Sequence, residues 1–481
     1  MNPTNVFAPL LRDARILALN NVLKSFAGAE AYLVGGAVRD AILKKPLPLE
    51  DMDVSVLGAS AKAVAHAVQE AVPHTRLVVL DESWGIYRVV FLHEDKQSPP
   101  LFLDVVQVQG DDIKADLARR DLTVNALAVH TQSGELLDLY RSQADLNAGI
   151  IRVLSLDNLK DDPLRILRIF RFHATLNTVQ TPSTIEIETL NWAKECLPYL
   201  HSVAKERMAV EWFKLLSAER AFPTIQIMAD AGILEALFPP LKALKMVSPN
   251  THHHLPLWEH SLELVNQAET IYPQLDAQTQ EALTQPSSHG ATEYGLVKMA
   301  CLFHDIAKPH TWQVEANFRH RFLGHEKKGV DVLSPLLSEW KLSQAVKHRV
   351  SRLVEWHLYP CTFDEQSSEK SRLRFFRRIA EDTPFLIVLA LADTLSTRGH
   401  AFTPDALATA QADLLDLLHR YWQGKAQRQA PPLLDGQTIM QVLGIPPSPR
   451  VGELLAQLKD AHALGRIHTR EEALDFIRQL Q

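Results

Sequence analysis

Cysteine is scarce in this chain. Only Cys196, Cys301 and Cys361 occur among 481 residues. They lie far apart and form neither a disulfide framework nor a paired zinc motif, so a reducing cytoplasm is the expected setting. Long apolar runs are missing too. No stretch approaches the ~20 apolar residues that a spanning helix needs, so no membrane partner is expected. The opening MNPTNVFAPLLRDARILAL has no basic stretch before an apolar one, and no secretion signal is expected. Nor is there an excess of positive charge: 50 Lys and Arg stand against 57 Asp and Glu, a net −7. That argues against a non-specific nucleic-acid coat. It leaves an RNA enzyme open, because counterion release depends on a local basic face. Three such faces exist: Arg119 and Arg120; Arg165, Arg168 and Arg171; and Lys370, Arg372, Arg374, Arg377 and Arg378. A solvated helix face would account for each taken singly.

What is present is ordinary for folded domains, 46% hydrophobic and 22% charged residues, in a chain long enough for several cores. Residues 1–28 read as a helical lead-in. From 30 to 150 the runs YLVGG, DVSVL, TRLVVL, YRVVFL and LFLDVVQV read as strands, and AVRDAILKK and AKAVAHAVQEAV as helices, giving an α/β unit. Beyond about 155 strand signals vanish and helical spacing dominates. Residues 277–293 read as a polar loop, and the tail from LLDGQTIMQVLG as a short helical unit punctuated by Gly444 and Pro446–Pro447.

Two constellations carry chemistry. In LVGGAVRD, Gly35 and Gly36 stand between a strand and a helix, where bare backbone can approach a phosphate; Arg39 follows one turn on. A plain tight turn explains the glycines equally well. Asp51 and Asp53 share one strand face if EDMDVSVL is a strand, and carboxylates so close call for a cation such as Mg²⁺. Asp104 sits among apolar residues, a costly place for a lone carboxylate unless it joins that pair. A solvent-facing loop is the plainer account of Asp51 and Asp53. Asp162 before Pro163 reads as a helix N-cap; Arg165, three residues on, lies on the same face and could offer a base edge a donor beside an acceptor, or form a surface ion pair. The second constellation is His260, His304–Asp305, His325, His357 and Asp393, within apolar helical patterns. One such histidine is ordinary core; the ordered set with two aspartates suits a divalent transition metal. Lys308 could orient a phosphate or be a surface lysine. The triplet His252–His254 reads as a loop.

The order LVGGAVRD, D-x-D, RRDLTVNA, DDPLRILRIFRF resembles class II tRNA nucleotidyltransferases and bacterial poly(A) polymerases. The resemblance continues through VAKERMAVEWFKLL, AGILEALFPPL and the tail. It implies an α+β fold: a polymerase-beta-like nucleotidyltransferase head of mixed sheet (29–152), a helical base-recognition and RNA-binding neck (153–247), a metal-dependent HD domain (248–425) and a helical tail (426–481). It implies two-metal nucleotidyl transfer from CTP, and ATP, to the tRNA 3′ end. Asp51, Asp53 and Asp104 would be catalytic, with Mg²⁺ on the first two. Gly35, Gly36 and Arg39 would hold phosphates; Arg119, Asp121 and Asn125 the ribose and triphosphate; Asp162 and Arg165, with Arg168, the base. The His-Asp order resembles HD phosphohydrolases, with His260, His304, Asp305 and Asp393 as core ligands and His325 and His357 as further ones. Three departures stand out: Lys44 where the family has glycine, Asp161 where it has glutamate, and a short stretch between Asp104 and Arg119, where CCA-adding relatives carry a long flexible loop linked to A addition. Full CCA addition and CC addition both stay open. So do poly(A) synthesis, an HD phosphohydrolase with a merely nucleotide-binding head, and a non-catalytic RNA-binding protein.

Overall fold

A computed structural model describes residues 6–46, 49–93, 95, 98–178, 181–248, 255–314, 320–397, 403–429, 433–463 and 466–480. The chain divides into two units, Met1–Leu215 and Leu216–Gln481. The predicted α+β architecture holds, with the sheet confined to the first unit and helices filling the second.

Seven strands make the sheet: β1 Glu30–Val34, β2 Asp51–Leu57, β3 Thr75–Asp81, β4 Ile86–Phe91, β5 Leu101–Gln107, β6 Leu127–His130 and β7 Leu136–Asp138, in the order β3-β4-β5-β2-β1-β6-β7. All neighbours run antiparallel except β2 and β5, which are parallel. In that pair Asp53 lies opposite Asp104, and on β4 Arg88 lies opposite Asp104. Period-two geometry therefore sets Asp51, Asp53, Asp104 and Arg88 on one sheet face. The other face is apolar: Met52, Val54, Val89, Leu103 and Val105 are buried. The helix Ala61–Ala71 lies along β3, β4 and β5 and buries Val64, Ala65 and Val68.

The lead-in helix Ala14–Leu23 fixes where β2 starts. Arg15 is buried, paired with Asp13 at 2.9 Å, and donates to the carbonyls of Leu49 at 2.8 Å and of Glu50 and Phe102 at 2.9 Å. Lys44 follows the helix Gly36–Ile42 with φ 55°, a left-handed conformation that suits the family's glycine.

In the second unit the apolar helix Thr383–Ser396 is buried along most of its length and packs against the helices Leu257–Ile271 and Glu293–Phe303. The last three helices, Gly436–Leu443, Pro449–Ala463 and Arg470–Arg478, close on a core of Ile439, Leu454, Leu458, Ala473 and Ile477. Two expectations fail. The supposed loop 277–293 opens with a helix, Ala277–Thr284. Asp276 caps it at 2.8 Å through Thr279 N–H, Leu283 is buried, and the Trp422 indole donates to Thr279 Oγ1 at 2.7 Å; tertiary contacts overrode a polar local signal. Strands also persist past 155, as two-residue pairs: Ile150–Ile151 with Thr184–Ile185, and Gln313–Val314 with His320–Arg321. Such fragments are too short to show a period. His252–His254 lie outside the described residues.

Candidate functional sites

The first site grows from the turn after β1. Gly35 has φ 64° and ψ −123°, open only to glycine, and a Cβ there would stand 3.1 Å from Arg120 Nη1 and 4.0 Å from Asp53 Oδ2. The bend, the arginine and the acid pair are thus brought together. Asp51 is exposed, Asp53 is half-buried, and Asp104 is buried. Burial, and then the Asp104 charge, push the Asp53 carboxyl up to about 6 against the pull of Arg120. Carboxylates crowded like this suit a hard divalent cation, and Asp51 and Asp53 share the face that could hold it. Asp104 is engaged otherwise: Arg88 grips it with two hydrogen bonds, at 2.7 and 2.8 Å, and approaches Asp51 at 3.2 Å.

The two arginines of RRD part ways. Arg119 caps the helix Ile113–Ala118 and is exposed, whereas Arg120 turns inward. Arg120 pairs with Asp116 at 3.2 Å, and its Nε is buried without a hydrogen-bond partner, as befits a group awaiting an anion. Alternation within RRD carried the only sequence signal, and it could not say which arginine faces in.

Behind the site runs a polar chain. Arg39 donates to Asn125 at 2.7 Å, Asn125 to Asp121 at 3.1 Å, and Arg168 pairs with Asp121 at 2.6 Å. Burial opposes ionisation of Asp121, but Arg168 and Asn125 outweigh it and hold its carboxyl near 2. Asp121 is therefore an internal counter-ion, its oxygens committed to protein donors. Asp162 and Arg165 do not pair with each other. Asp162 accepts the Leu164 N–H at 3.3 Å and pairs with Arg207 at 3.1 Å. The regular helix begins only at Arg165, whose guanidinium donates to the Asn158 carbonyl at 3.0 Å.

Asn158 is a residue that sequence reading missed. Its buried amide donates to the carbonyls of Ala118 and Arg120 at 2.9 and 2.8 Å while its own carbonyl takes Arg165. One residue so fixes both the Arg120 loop and the first arginine of the helix Arg165–Leu176. Replacing Asn158 with Ala strands two carbonyls, a loss of about 1–3 kcal/mol. Steady-state kinetics should show a nucleotide kcat/KM lowered about tenfold or more, carried mainly by KM.

The second site lies wholly in the second unit, at helix ends. His260 is in the first turn of Leu257–Ile271, His304 follows Glu293–Phe303, His325 opens His325–Glu339, His357 follows Gln344–Trp356, and Asp393 is in the last turn of Thr383–Ser396. Nδ1 of His304, His325 and His357 lies 2.9, 2.7 and 2.7 Å from the carbonyls of Cys301, Phe322 and Val354. A carbonyl only accepts, so each Nδ1 donates and a neutral ring leaves its Nε2 as a bare lone pair. Those lone pairs converge on one carboxylate. His304 Nε2 is 3.0 Å from Asp305 Oδ2, His325 Nε2 is 3.1 Å from Oδ1, and His357 Nε2 is 3.8 Å from Oδ1. His260 Nε2 reaches Asp393 at 3.3 Å and Asp305 Oδ2 at 3.9 Å. Facing lone pairs need positive charge between them. His304 Nε2, Asp305 Oδ1 and Asp393 Oδ1 are buried with no partner in hydrogen-bonding geometry, so the donors fit a divalent metal. Two sets share Asp305: His260 and His304 by one oxygen, His325 and His357 by the other. Burial opposes the Asp305 charge, but Lys308, 2.5 Å from Oδ2, helps hold its carboxyl well below the ordinary range.

Three family models match the chain: "Poly A polymerase head domain" over residues 31–152, "Probable RNA and SrmB- binding site of polymerase A" over 184–245, and "HD domain" over 257–398. An A-adding tRNA nucleotidyltransferase of Deinococcus radiodurans is 31% identical over 93% of this chain and 95% of its own. The chain belongs to the tRNA nucleotidyltransferase family. A CC-adding member from Thermus thermophilus is likewise 31% identical, over 93% of both chains. The Thermotoga maritima CCA-adding enzyme in complex with tRNA shares the fold at a TM-score of 0.61, 20% identity, and coverage of 98% of this chain and 96% of that one. Membership makes this chain a divalent-metal-dependent nucleotidyltransferase that carries an HD domain of the metal-dependent phosphohydrolase type. No described helix is long and apolar enough to cross a membrane.

Proposed function

We propose that this nucleotidyltransferase adds cytidines from CTP to the 3′ end of tRNA, stopping at CC, and that its HD domain hydrolyses phosphate esters with a transition metal. The observation that carries the first half is the shared face of Asp51 and Asp53 beside the Gly35 bend and Arg120. Asp51 and Asp53 would hold magnesium, which would supply Lewis-acid stabilisation to the oxygens that attack and leave. The tRNA 3′-hydroxyl displaces pyrophosphate from the α-phosphorus. Arg120 and Arg39 hold the triphosphate, and the backbone at Gly35 leaves room for it. The Asp121–Arg168 pair fixes the helix from which Arg165 meets the base. Arg88 keeps Asp104 in register with Asp53, so Asp104 orients the acid pair.

CC addition is favoured by the connection after β5: between Gln107 and the helix that starts at Ile113 lie Val108–Asp112 alone. The resemblance ties a long flexible segment here to A addition. The Deinococcus relative supports a second reading, A addition to tRNA that already ends in CC. Incubating the protein with tRNA lacking its 3′ end, or ending in CC, with CTP, ATP or both, decides between them on a sequencing gel. Two added residues from CTP and none from ATP are expected. A single A on the CC-ended substrate alone would overturn CC addition.

A further inference from the structure

The helix Glu369–Ile379 in the second unit is split lengthwise. Phe375, Phe376 and Ile379 are buried, as is Arg372, which pairs with Glu369 at 2.9 Å and donates to the Asp364 carbonyl at 2.8 Å. The opposite face carries Lys370, Arg374, Arg377 and Arg378, all exposed, at the i, i+4, i+7, i+8 spacing of one helix stripe. Glu369 is already shared by Arg372 and Arg420. Lys370, Arg374 and Arg378 form no ion pair among the described residues. Two neighbouring cations are matched: Arg349 and Arg352 both bind Asp382, and Arg352 also covers the carbonyls of Arg378 and Ile379 at the helix end. Lys370, Arg374 and Arg378, so close on one face of a chain of net charge −7, repel one another and gain no ion pair in return.

We infer that this stripe is a docking track for the phosphodiester backbone of RNA, separate from the 184–245 segment matched to RNA binding. Three features favour that partner. The stripe runs ~12 Å along the helix, and a nucleic-acid strand advances ~3.4 Å per phosphate, so about three phosphates can meet it. The Arg378 guanidinium lies 4.6 Å from the centre of the Trp356 ring, which holds its planar fork ready for phosphate. Finally, no large apolar side chain of this helix is exposed, whereas a helix that settles on lipid presents an apolar face to it.

The test is the full-length variant Lys370→Glu/Arg374→Glu/Arg378→Glu, with Lys24→Glu as a charge control in the first unit. Binding of tRNA lacking its 3′ end is measured by fluorescence anisotropy across a salt series. The Kd should rise about tenfold or more near 0.1 M salt, and the slope of log K against log salt should shrink by about two to three. The tRNA KM for nucleotide addition should rise with kcat at saturation unchanged, and the control should match the wild type. An unchanged Kd and slope overturns the track. So does retention of tRNA binding with loss of adsorption to phosphatidylserine vesicles, which assigns the stripe to membranes. If the triple variant melts early, Arg374→Gln/Arg378→Gln decides by the same slope. These readouts do not depend on which nucleotide is added or on HD activity.

Discussion

Asp53→Asn is expected to lower nucleotide incorporation by about three orders of magnitude or more. Losing a ligated divalent ion removes several kcal/mol of charge stabilisation, and each ~1.4 kcal/mol is a factor of ten in rate. Single-turnover extension of tRNA by CTP reads this directly. Stability should move the other way under chelation. Asp53 is held beside Asp104 against burial and repulsion, so neutralising it relieves the metal-free fold, and the variant's Tm in EDTA should exceed that of the wild type. Added magnesium should close or reverse the gap, because it stabilises only the form that binds it. Incorporation within tenfold of wild type would remove Asp53 from the catalytic centre.

The second large effect is expected at Asp305. Its two oxygens serve two histidine sets, so Asp305→Ala dismantles both. Hydrolysis of bis(p-nitrophenyl) phosphate should fall below detection, and bound transition metal should drop from about two ions per chain towards none. Nucleotide addition should stay within about twofold, since the acid pair lies in the other unit. Chelation should lower the Tm of the wild type and leave the variant unmoved. Persistent hydrolysis, or loss of addition alongside it, would show that the two chemistries are not housed as described.

The sequence exposed these centres unevenly. The Asp51–Asp53 pair was legible because strand period two and charge repulsion need only local spacing. The histidine–aspartate cluster was legible as a set, since imidazoles and carboxylates rarely recur in order within apolar helices. The pairing of imidazoles with opposite oxygens of Asp305 was hidden, because it arises from five helix ends meeting in space. Arg120 had no signal beside Arg119, since only the helix end shows which of the two turns inward. Asp121 was expected to touch substrate, but Arg168, far along the chain, takes its oxygens. Asn158 and Arg88 had no signal, since their partners are backbone carbonyls and a carboxylate on other elements. The helix Ala277–Thr284 escaped notice because its one large apolar side chain is Leu283, buried by tertiary contacts.

Arg15 carries a consequence for how the head can be cut. It contacts none of the proposed reactive groups, yet it donates to three part-buried backbone carbonyls flanking Asp51. A shortened version beginning at β1 would keep every acidic side chain of the face and remove those three hydrogen bonds, at about 0.5–1.5 kcal/mol each. The acid-bearing face is in that sense anchored from outside its own sheet, and the smallest active fragment is expected to start earlier than its acidic residues suggest.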